Sequence, residues 1–215
     1  MDTQWLGRVG YEDALATQET YLEKRLNGEI SDTLLLLEHD PVYTIGRSSD
    51  RSSLDTGQAL PHPVVEISRG GKATYHGPGQ LVGYAILDLH NYGKDLHAYL
   101  RALEDSLIHL CSDLGLNATR RDGLTGVWVE NRKLASIGVG VRRWITMHGF
   151  ALNVCGNLDG FDPIIPCGIE DVTMTSLQRE VPKPSWSVES VAGHYPPFLE
   201  AELSKLQHRT KDSNA

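Results

Sequence analysis

Residues 126–154 read GVWVENRKLASIGVGVRRWITMHGFALNV, and this stretch decides the fold class. Its β-branched and alternating apolar residues predict strands over Gly126–Glu130, Lys133–Val141 and Met147–Val154. The polar connection between the first two strands is short enough to predict a hairpin, in which neighbouring strands run antiparallel. The centre of the fold is therefore expected to be a sheet that is largely antiparallel.

Helices and further strands surround this stretch. Tyr11–Leu26 has helical spacing and is followed by Asn27-Gly28, a helix stop. A leucine stripe predicts an amphipathic helix that packs on the core; its members are Leu96, Leu100, Leu103, Leu107, Leu110 and Leu114. The other predicted strands are Thr33–Glu38, Pro41–Ile45, Val64–Ser68 and Leu81–Leu87, and the other predicted helices are Ser187–Ala192 and Phe198–Leu206.

This order of elements predicts an α+β fold: one domain over residues 1–215, with a mixed, largely antiparallel sheet flanked by helices. Residues 47–62 are polar and rich in Gly, Pro and Ser, which is typical of a mobile surface loop. Residues 163–168 are expected to form an irregular loop. Residues 208–215 are polar and are expected to form a frayed tail.

Composition narrows the function classes. The formal net charge is −8, which argues against a general nucleic-acid binder. Three cysteines without a Cys-x-x-Cys pair exclude a disulfide framework and a cysteine zinc site, and their odd number is typical of a reducing compartment. The chain shows no signal-peptide pattern and no apolar run long enough to span a membrane. A soluble, cytoplasmic protein is expected.

Residues 69–83, RGGKATYHGPGQLVG, form the most unusual stretch of the chain. The spacing excludes a Walker A loop and a dinucleotide-binding fingerprint. Its glycines allow a ligand to approach the backbone closely, although a tight connection between strands explains the same pattern. Taken alone, His76 is typical of a hydrogen-bonded structural histidine.

Two further residues are candidates for chemistry. Cys167 lies between proline and glycine in a predicted loop, where a thiol is accessible to a base that activates it. Cys111 and Cys155 are expected to be buried and inert. Lys133 begins a predicted strand, a position that is usual for a solvated cation. The lysine becomes catalytic only when packing removes its amine from water. Composition alone leaves both roles open.

Four segments in order resemble the lipoyl(octanoyl) transferase family: EHDPVYTIGR, RGGKATYHGPGQLVGYAILDL, the stretch 126–154, and IIPCGIEDVTMTSL. The likeness runs from about Glu38 to Leu177. It implies a fold shared with lipoate-protein and biotin-protein ligases. It also implies transfer of an octanoyl group from octanoyl-acyl carrier protein to a lysine of a lipoyl domain, through a cysteine acyl-thioester.

The resemblance assigns site residues by motif. The nucleophile falls on Cys167, and the lysine that lowers the pKa of its thiol falls on Lys133. The substrate-lining residues fall on three segments: Arg69, Gly70, Gly71, Lys72, Ala73, Thr74, Tyr75 and His76; Ser136, Ile137 and Gly138; and Gly149, Phe150 and Ala151. His76 and His148 are expected to be orienting groups. The resemblance implies no ATP or other cofactor, and the sequence shows no metal-ligand spacing.

The implied acceptors are lipoyl domains of dehydrogenase complexes and the glycine-cleavage H protein, and a monomer is the expected state. These acidic partners meet a chain of charge −8, so a local cationic face is predicted from Arg69, Lys72, Arg142 and Arg143. Alternatives are an ATP-dependent lipoate-protein ligase, a non-catalytic module that binds an acyl chain or a lipoyl domain, and a thioesterase. The sequence leaves acyl chain-length selectivity open.

Overall fold

A computed structural model describes residues 1–46, 51–54, 57, 59–67, 69–169, 171–182 and 186–212. Its strands are Asp2–Val9 (β1), Thr33–His39 (β2), Val42–Ile45 (β3), Val64–Glu66 (β4), Thr74–His76 (β5), Gln80–Ile86 (β6), Thr119–Arg121 (β7), Leu124–Val129 (β8), Arg132–Arg142 (β9), Ile145–Asn153 (β10) and Thr173–Met174 (β11). Its α-helices are Tyr11–Leu26 (α1), Leu96–Asp113 (α2), Leu177–Glu180 (α3), Val188–His194 (α4) and Pro196–Asp212 (α5).

The main sheet has the strand order β1-β2-β6-β10-β9-β8-β7, and β11 pairs with β9 beside this path. Two pairs, β1 with β2 and β11 with β9, are parallel, whereas the other pairs of this sheet are antiparallel. A smaller sheet has the order β4-β3-β5. The predicted α+β class, with a mixed and largely antiparallel sheet, is confirmed.

Helices cover the main sheet on both faces. On one face, Ala14 of α1 packs with Leu35, Leu37 and Val82. On the other face, the leucine stripe of α2 packs with α4 and α5 in the largest apolar cluster. Leu103, Leu107 and Leu110 are fully buried there, as the stripe predicts. The first turns of α2 differ, because Leu96 is exposed and Leu100 is half-buried.

The sequence pattern does not predict four short or polar strands: β1, β5, β7 and the two-residue β11, which pairs with β9. β1 reads DTQWLGRV, which lacks an apolar alternation because it is an edge strand whose residues are exposed or half-buried. β5 lies inside the glycine-rich segment, where pairing with β3 gives Thr74–His76 their extended conformation. β7 has three residues and pairs with β8 at the end of the main sheet. Each of these strands depends on a partner strand rather than on its own pattern.

The loop and tail predictions need correction. Of residues 47–62, positions 47–50, 55, 56 and 58 lie outside the described residues, and the described part contains a 3-10 turn at Arg51–Ser53. Ser53 and Leu54 are buried, so this part is not a free surface loop. At the other end, α5 continues to Asp212, past the predicted start of the tail. Among the described helices, none is long and apolar enough to cross a bilayer.

Candidate active site

The predicted site residues meet at a cavity of about 430 Å³. Part of its floor is the face of β6, β9 and β10 toward α1, which carries Val82, Tyr84 and Ala151, and residues of the segment 69–76 also line the cavity. The cavity wall includes fourteen predicted positions: Arg69, Gly70, Gly71, Lys72, Thr74, His76, Lys133, Ser136, Ile137, Gly138, Gly149, Phe150, Ala151 and Cys167. The fold therefore brings all of the resemblance-derived segments to one place.

Cys167 lies in the 3-10 turn Pro166–Gly168 with left-handed backbone angles, φ 57° and ψ 14°. A residue other than glycine rarely adopts this conformation, because it costs about 1–2 kcal/mol. Here two hydrogen bonds fix it: the Cys167 amide donates to the Ala73 carbonyl at 2.8 Å, and the Gly168 amide donates to the Ile165 carbonyl at 2.9 Å. The turn holds the half-buried thiol against the cavity, with Sγ 3.6 Å from the Ser136 hydroxyl.

Lys133 is 1% exposed, although lysine is among the residues least often buried. Its Nζ donates to the Thr125 carbonyl at 3.2 Å and lies 5.1 Å from the centre of the Trp128 ring. Lys133 lies three residues before Ser136 on β9, and the irregular pairing of β8 with β9 between Lys133 and Ala135 lets both side chains line the cavity that Cys167 also borders. Packing has removed this amine from water, which is the condition that the sequence left open.

A glycine makes room for the lysine. Gly126 on β8 has φ 127°, and a Cβ there would lie 2.5 Å from the Ala135 carbonyl oxygen and 2.9 Å from Cε of Lys133. Both distances are shorter than real Cβ contacts. The Lys133 side chain therefore passes across the backbone of Gly126, and β8 positions the amine as much as β9 does.

Arg69 organises the glycine-rich segment from inside. Its guanidinium donates to the carbonyls of Gly70 at 2.9 Å and Lys72 at 3.0 Å, and to the Thr44 carbonyl and hydroxyl at 3.1 and 2.9 Å. Burial lowers its pKa. Because the side chain is 7% exposed, the prediction that Arg69 contributes to a cationic face is wrong. The backbone carbonyls of a tight glycine loop need a buried donor, and Arg69 supplies it.

The other three cations of that predicted face do not form one patch, because Lys72 lies beside the turn of Cys167 and the other two lie at the turn between β9 and β10. Lys72 is half-buried, and its stem crosses Gly168, where an added Cβ would overlap with Cδ of the lysine. Arg142 is exposed and pairs with Glu23 at 2.6 Å. Arg143 is exposed in the turn between β9 and β10, about 30 Å from Lys133 along the strand. Lys72 is thus the member of the group that stands beside the thiol.

Two predicted substrate-lining residues are not part of the cavity wall. Ala73 is fully buried, and its carbonyl holds the amide of Cys167. Tyr75 points into a separate apolar cluster with Tyr43 and Phe161. Side chains alternate along a strand, so of the residues of β5 only Thr74 and His76 face the cavity.

The two predicted orienting histidines are buried. His76 contacts Gln80 Oε1 through Nδ1 at 2.8 Å and the Thr44 hydroxyl through Nε2 at 3.3 Å. Burial lowers its pKa to about 3, so its ring is neutral near pH 7. His148 has left-handed angles, φ 58°, and its amide donates to Gln18 of α1 at 2.8 Å. Both rings border the cavity, and both ring nitrogens of His76 are engaged by side chains other than the thiol.

Several wall residues were not identified from the sequence. Two are the tyrosines Tyr11 and Tyr84, on α1 and β6. Three are apolar residues at the start of α2 and on β8: Leu96, Leu100 and Leu124. Tyr84 stands inside one of the four family-like segments, and Leu96 and Leu100 begin the leucine stripe. A family-like segment and a leucine stripe are both also expected of residues that only pack in the core, so neither identifies a wall residue.

The cavity and its residues can be compared with known proteins. A model of the lipoyl protein ligase A/B catalytic domain matches residues 10–195. The chain belongs to the lipoyl protein ligase A/B family. This result confirms the resemblance drawn from the four segments.

Relatives of this ligase-family chain are octanoyltransferases. It is 49% identical over 208 residues to the octanoyltransferase of Geobacter sulfurreducens, covering 97% of this chain and 87% of that one. It is 48% identical over 206 residues to the octanoyltransferase of Synechococcus elongatus, covering 93% and 88%.

Solved structures of the lipoyl and biotin ligases share the fold. Lipoate-protein ligase A bound with ATP aligns with a TM-score of 0.68 at 16% identity, covering 97% of this chain and 86% of that one. Biotin protein ligase from Aquifex aeolicus, in complex with biotin and ATP, aligns with a TM-score of 0.62 at 15% identity, covering 97% and 73%. These likenesses confirm the predicted ligase-like fold.

Proposed function

We propose that this protein transfers an octanoyl group from octanoyl-acyl carrier protein to a lysine of a lipoyl domain, with Cys167 as the nucleophile. Octanoyltransferases about 50% identical to this chain support octanoyl as the group that is transferred and acyl transfer as the reaction. The observation that carries the mechanism is the position of the Cys167 thiol and the buried Lys133 amine on one cavity wall.

The first half-reaction moves the acyl group onto the enzyme. The Lys133 amine takes the proton of the Cys167 thiol, and the thiolate attacks the thioester carbonyl of the donor. The bond between the carbonyl carbon and the carrier's sulfur breaks, and the leaving thiolate takes the proton from the Lys133 ammonium. One thioester replaces another, so the step is close to isoenergetic and needs no nucleotide.

The second half-reaction forms the amide. The acceptor lysine amine attacks the acyl-Cys167 carbonyl, and Lys133 takes a proton from the attacking nitrogen. The carbon–sulfur bond breaks, and the Cys167 thiolate regains the proton. A water molecule in place of the lysine would hydrolyse the same intermediate, so the acceptor domain has to cover the cavity during transfer.

The developing oxyanion needs donors. Because the amides of Cys167 and Gly70 already donate to the carbonyls of Ala73 and Val139, we assign no oxyanion bond to them. The Ser136 hydroxyl, 3.6 Å from the sulfur, is the donor group nearest the reacting atom among the contacts of Cys167. We propose that it donates to the thioester oxygen in the transition state.

Lipoyl domains are the proposed acceptors, including those of dehydrogenase complexes and the glycine-cleavage H protein. We propose that the enzyme acts as a monomer in the cytoplasm. It needs no ATP, because the acyl group of the donor thioester is already activated. One structural neighbour comes from an archaeal lipoylation system, that of a bi-partite lipoate protein ligase and its E2 lipoyl domain from Thermoplasma acidophilum. That neighbour is 17% identical to this chain, so it supports the fold and not the acceptor.

A ligase that adenylates a free acid is the second candidate, because the structural neighbours include lipoate-protein ligases. The two are separated by supplying a lipoyl domain with either octanoyl-acyl carrier protein alone or free octanoate with ATP and magnesium. The proposal predicts octanoylated lipoyl domain, measured by intact mass, in the first mixture only. Product in the second mixture only would make the chain a ligase.

A further inference from the structure

We propose that Tyr84, held by Tyr11 and His39, closes the far end of the acyl slot and so sets the length of acyl chain that the enzyme accepts. This inference rests on the proposed octanoyl transfer. It adds a specificity-determining group that lies outside the three predicted substrate-lining segments.

The sheet register shows where Tyr84 stands relative to the thiol. Residues paired across neighbouring strands project to the same face, and so do residues two apart on one strand. The thiol lies beside Ser136, at one corner of this face. Two rows cross the floor from β9 to β6: Ser136, Ala151 and Val82 in the first row, and Gly138, Gly149 and Tyr84 in the second.

The first row leaves room for an alkyl chain. Its members are small or medium-sized, and Ala151 contributes only a methyl group. Above the second row there is no room for an alkyl chain, because the Arg69 side chain packs directly on Gly138. A Cβ at Gly138 would lie 3.0 Å from Cδ of Arg69. The open path therefore crosses from Ser136 over Ala151 to Val82, where the Tyr84 side chain stands two residues further along β6.

The length of this path matches the substrate. With strands about 4.8 Å apart and residues about 3.4 Å apart, Tyr84 is a diagonal of about 12 Å from Ser136. An extended octanoyl chain spans about 10 Å from the sulfur to the last methyl, at about 1.25 Å per methylene for C–C bonds of about 1.5 Å. Side chains stand nearly perpendicular to a sheet, so Tyr84 forms a wall at that distance.

The wall is fixed by a hydrogen-bond chain. His39 Nδ1 contacts the Val9 carbonyl at 2.8 Å, and a carbonyl only accepts, so Nδ1 carries the proton. Nε2 is then the acceptor for the Tyr84 hydroxyl at 2.6 Å. The Tyr11 ring packs against the same histidine from α1, with 4.9 Å between the centres of the Tyr11 and His39 rings.

This chain resists a longer substrate. Tyr84 is 4% exposed and Tyr11 is 6% exposed, and Tyr84 packs behind the slot with Leu35 and Leu37. A decanoyl chain would have to displace the buried Tyr84 ring and leave its hydroxyl and His39 Nε2 without partners. The apolar methyl end of an octanoyl chain meets the ring without disturbing these bonds.

The test compares acyl-carrier-protein thioesters of six, eight, ten and twelve carbons as donors to a lipoyl domain. Replacing Tyr84 by leucine shortens the wall and removes the hydroxyl. We expect the decanoyl-to-octanoyl ratio of kcat/KM to rise at least tenfold, about the discrimination that two buried methylenes allow. Tyr11→Leu loosens the same wall from α1 and is expected to shift the ratio in the same direction.

Tyr99→Leu is the matched control, because Tyr99 is equally buried but lies on the α2 side of the sheet. An unchanged ratio in both folded slot variants, or an equal rise in Tyr99→Leu, would overturn the inference. If Tyr84→Leu does not fold, Tyr11→Leu decides. Failure of the proposed function would look different, since the unmodified protein would then form no octanoyl adduct and no octanoylated lipoyl domain.

Discussion

The Sγ of Cys167 lies 3.6 Å from the hydroxyl oxygen of Ser136. The two residues come from a strained turn and from the middle of β9, and each position has its own structural support. Cys167 is held by the Ala73 carbonyl, and Ser136 is held by pairing with Ala151 on β10. The distance is thus a property of the folded sheet and of the glycine-rich segment over it.

Ser136→Ala is expected to lower kcat/KM for octanoyl transfer about 100-fold, because the transition-state oxyanion loses a donor. Ser136 is half-buried on a paired strand, so the free energy of unfolding should change by less than about 1 kcal/mol. Steady-state transfer assays with urea denaturation test both statements. A drop in activity of less than threefold would remove Ser136 from the transition state.

Gly126→Ala is expected to lower kcat/KM at least tenfold, since the new Cβ would meet the Ala135 carbonyl and displace the Lys133 side chain. A shift of the pH–rate profile should accompany the loss, because the displaced amine is the proposed base. Gly115→Ala is the control: φ there is 86°, but a Cβ meets no atom within 4 Å. Equal losses in the two variants would mean general destabilisation and not misplacement of Lys133.

Arg69→Lys is expected to reduce the free energy of unfolding by about 2–4 kcal/mol and to raise KM, although the charge is kept. A lysine cannot reproduce the forked bonds to Thr44, Gly70 and Lys72, so buried carbonyls lose their donor. Arg142→Lys, on an exposed ion pair, should change stability by less than about 0.5 kcal/mol. Urea denaturation of both variants checks this, and equal effects would contradict the assigned role of Arg69.

The lowered pKa values of two buried histidines predict that the free energy of unfolding falls in acid. Burial lowers the pKa of His39 to about 4 and that of His76 to about 3, so the unfolded chain binds protons that the folded chain refuses below pH 6.5. Stability is therefore full above about pH 6.5 and falls as the pH drops toward 4, by about 3 kcal/mol for His39 alone.

Unfolding free energies at pH 7.5 and pH 5 measure this slope. His39→Asn should flatten it, since asparagine still donates to Val9 but does not titrate. His194→Asn, on the exposed side of α4, should leave the slope unchanged. A slope that His39→Asn does not reduce would contradict the assignment.

Lys72→Glu is expected to lower kcat/KM several-fold at low salt and to weaken its salt dependence, because Lys72 stands beside the turn that carries the thiol. Arg143→Glu should have a smaller effect, because that residue lies in the turn beyond the end of β9, far from the thiol. Transfer rates between about 20 and 300 mM salt, over which the Debye length shortens severalfold, test the order. A larger effect at Arg143 would move the partner surface to the hairpin end.

Local pattern predicted the long elements well. The α2 leucine stripe and the strands around Val127, Ile137 and Phe150 lie where the sequence predicts them, because each has its own periodicity. β1 and β5 did not follow from pattern, since their strand conformation comes from pairing with β2 and β3. A single sequence carries no direct signal for such pairing.

The site residues also divide into those that the sequence identifies and those that only the fold identifies. The family resemblance identifies Cys167 and Lys133 as candidates, and in the fold both line one cavity. Arg69 could not be assigned from charge alone, because only the loop carbonyls around it show that it is a buried donor. Tyr84 and Tyr11 are ordinary core tyrosines in sequence, and their position at the end of the slot emerges only from the register of β6 with β10.

In the proposed mechanism the acyl group passes through Cys167. Intact-mass spectrometry after mixing with octanoyl-acyl carrier protein, without acceptor, tests it on the unmodified chain, Cys167→Ser and Cys155→Ser. We expect one hydroxylamine-sensitive octanoyl adduct on the unmodified chain and on Cys155→Ser, discharged by a lipoyl domain, and no such thioester on Cys167→Ser. An adduct of the same kind on Cys167→Ser, or octanoylated lipoyl domain formed by that variant at the normal rate, would show that Cys167 is not the nucleophile.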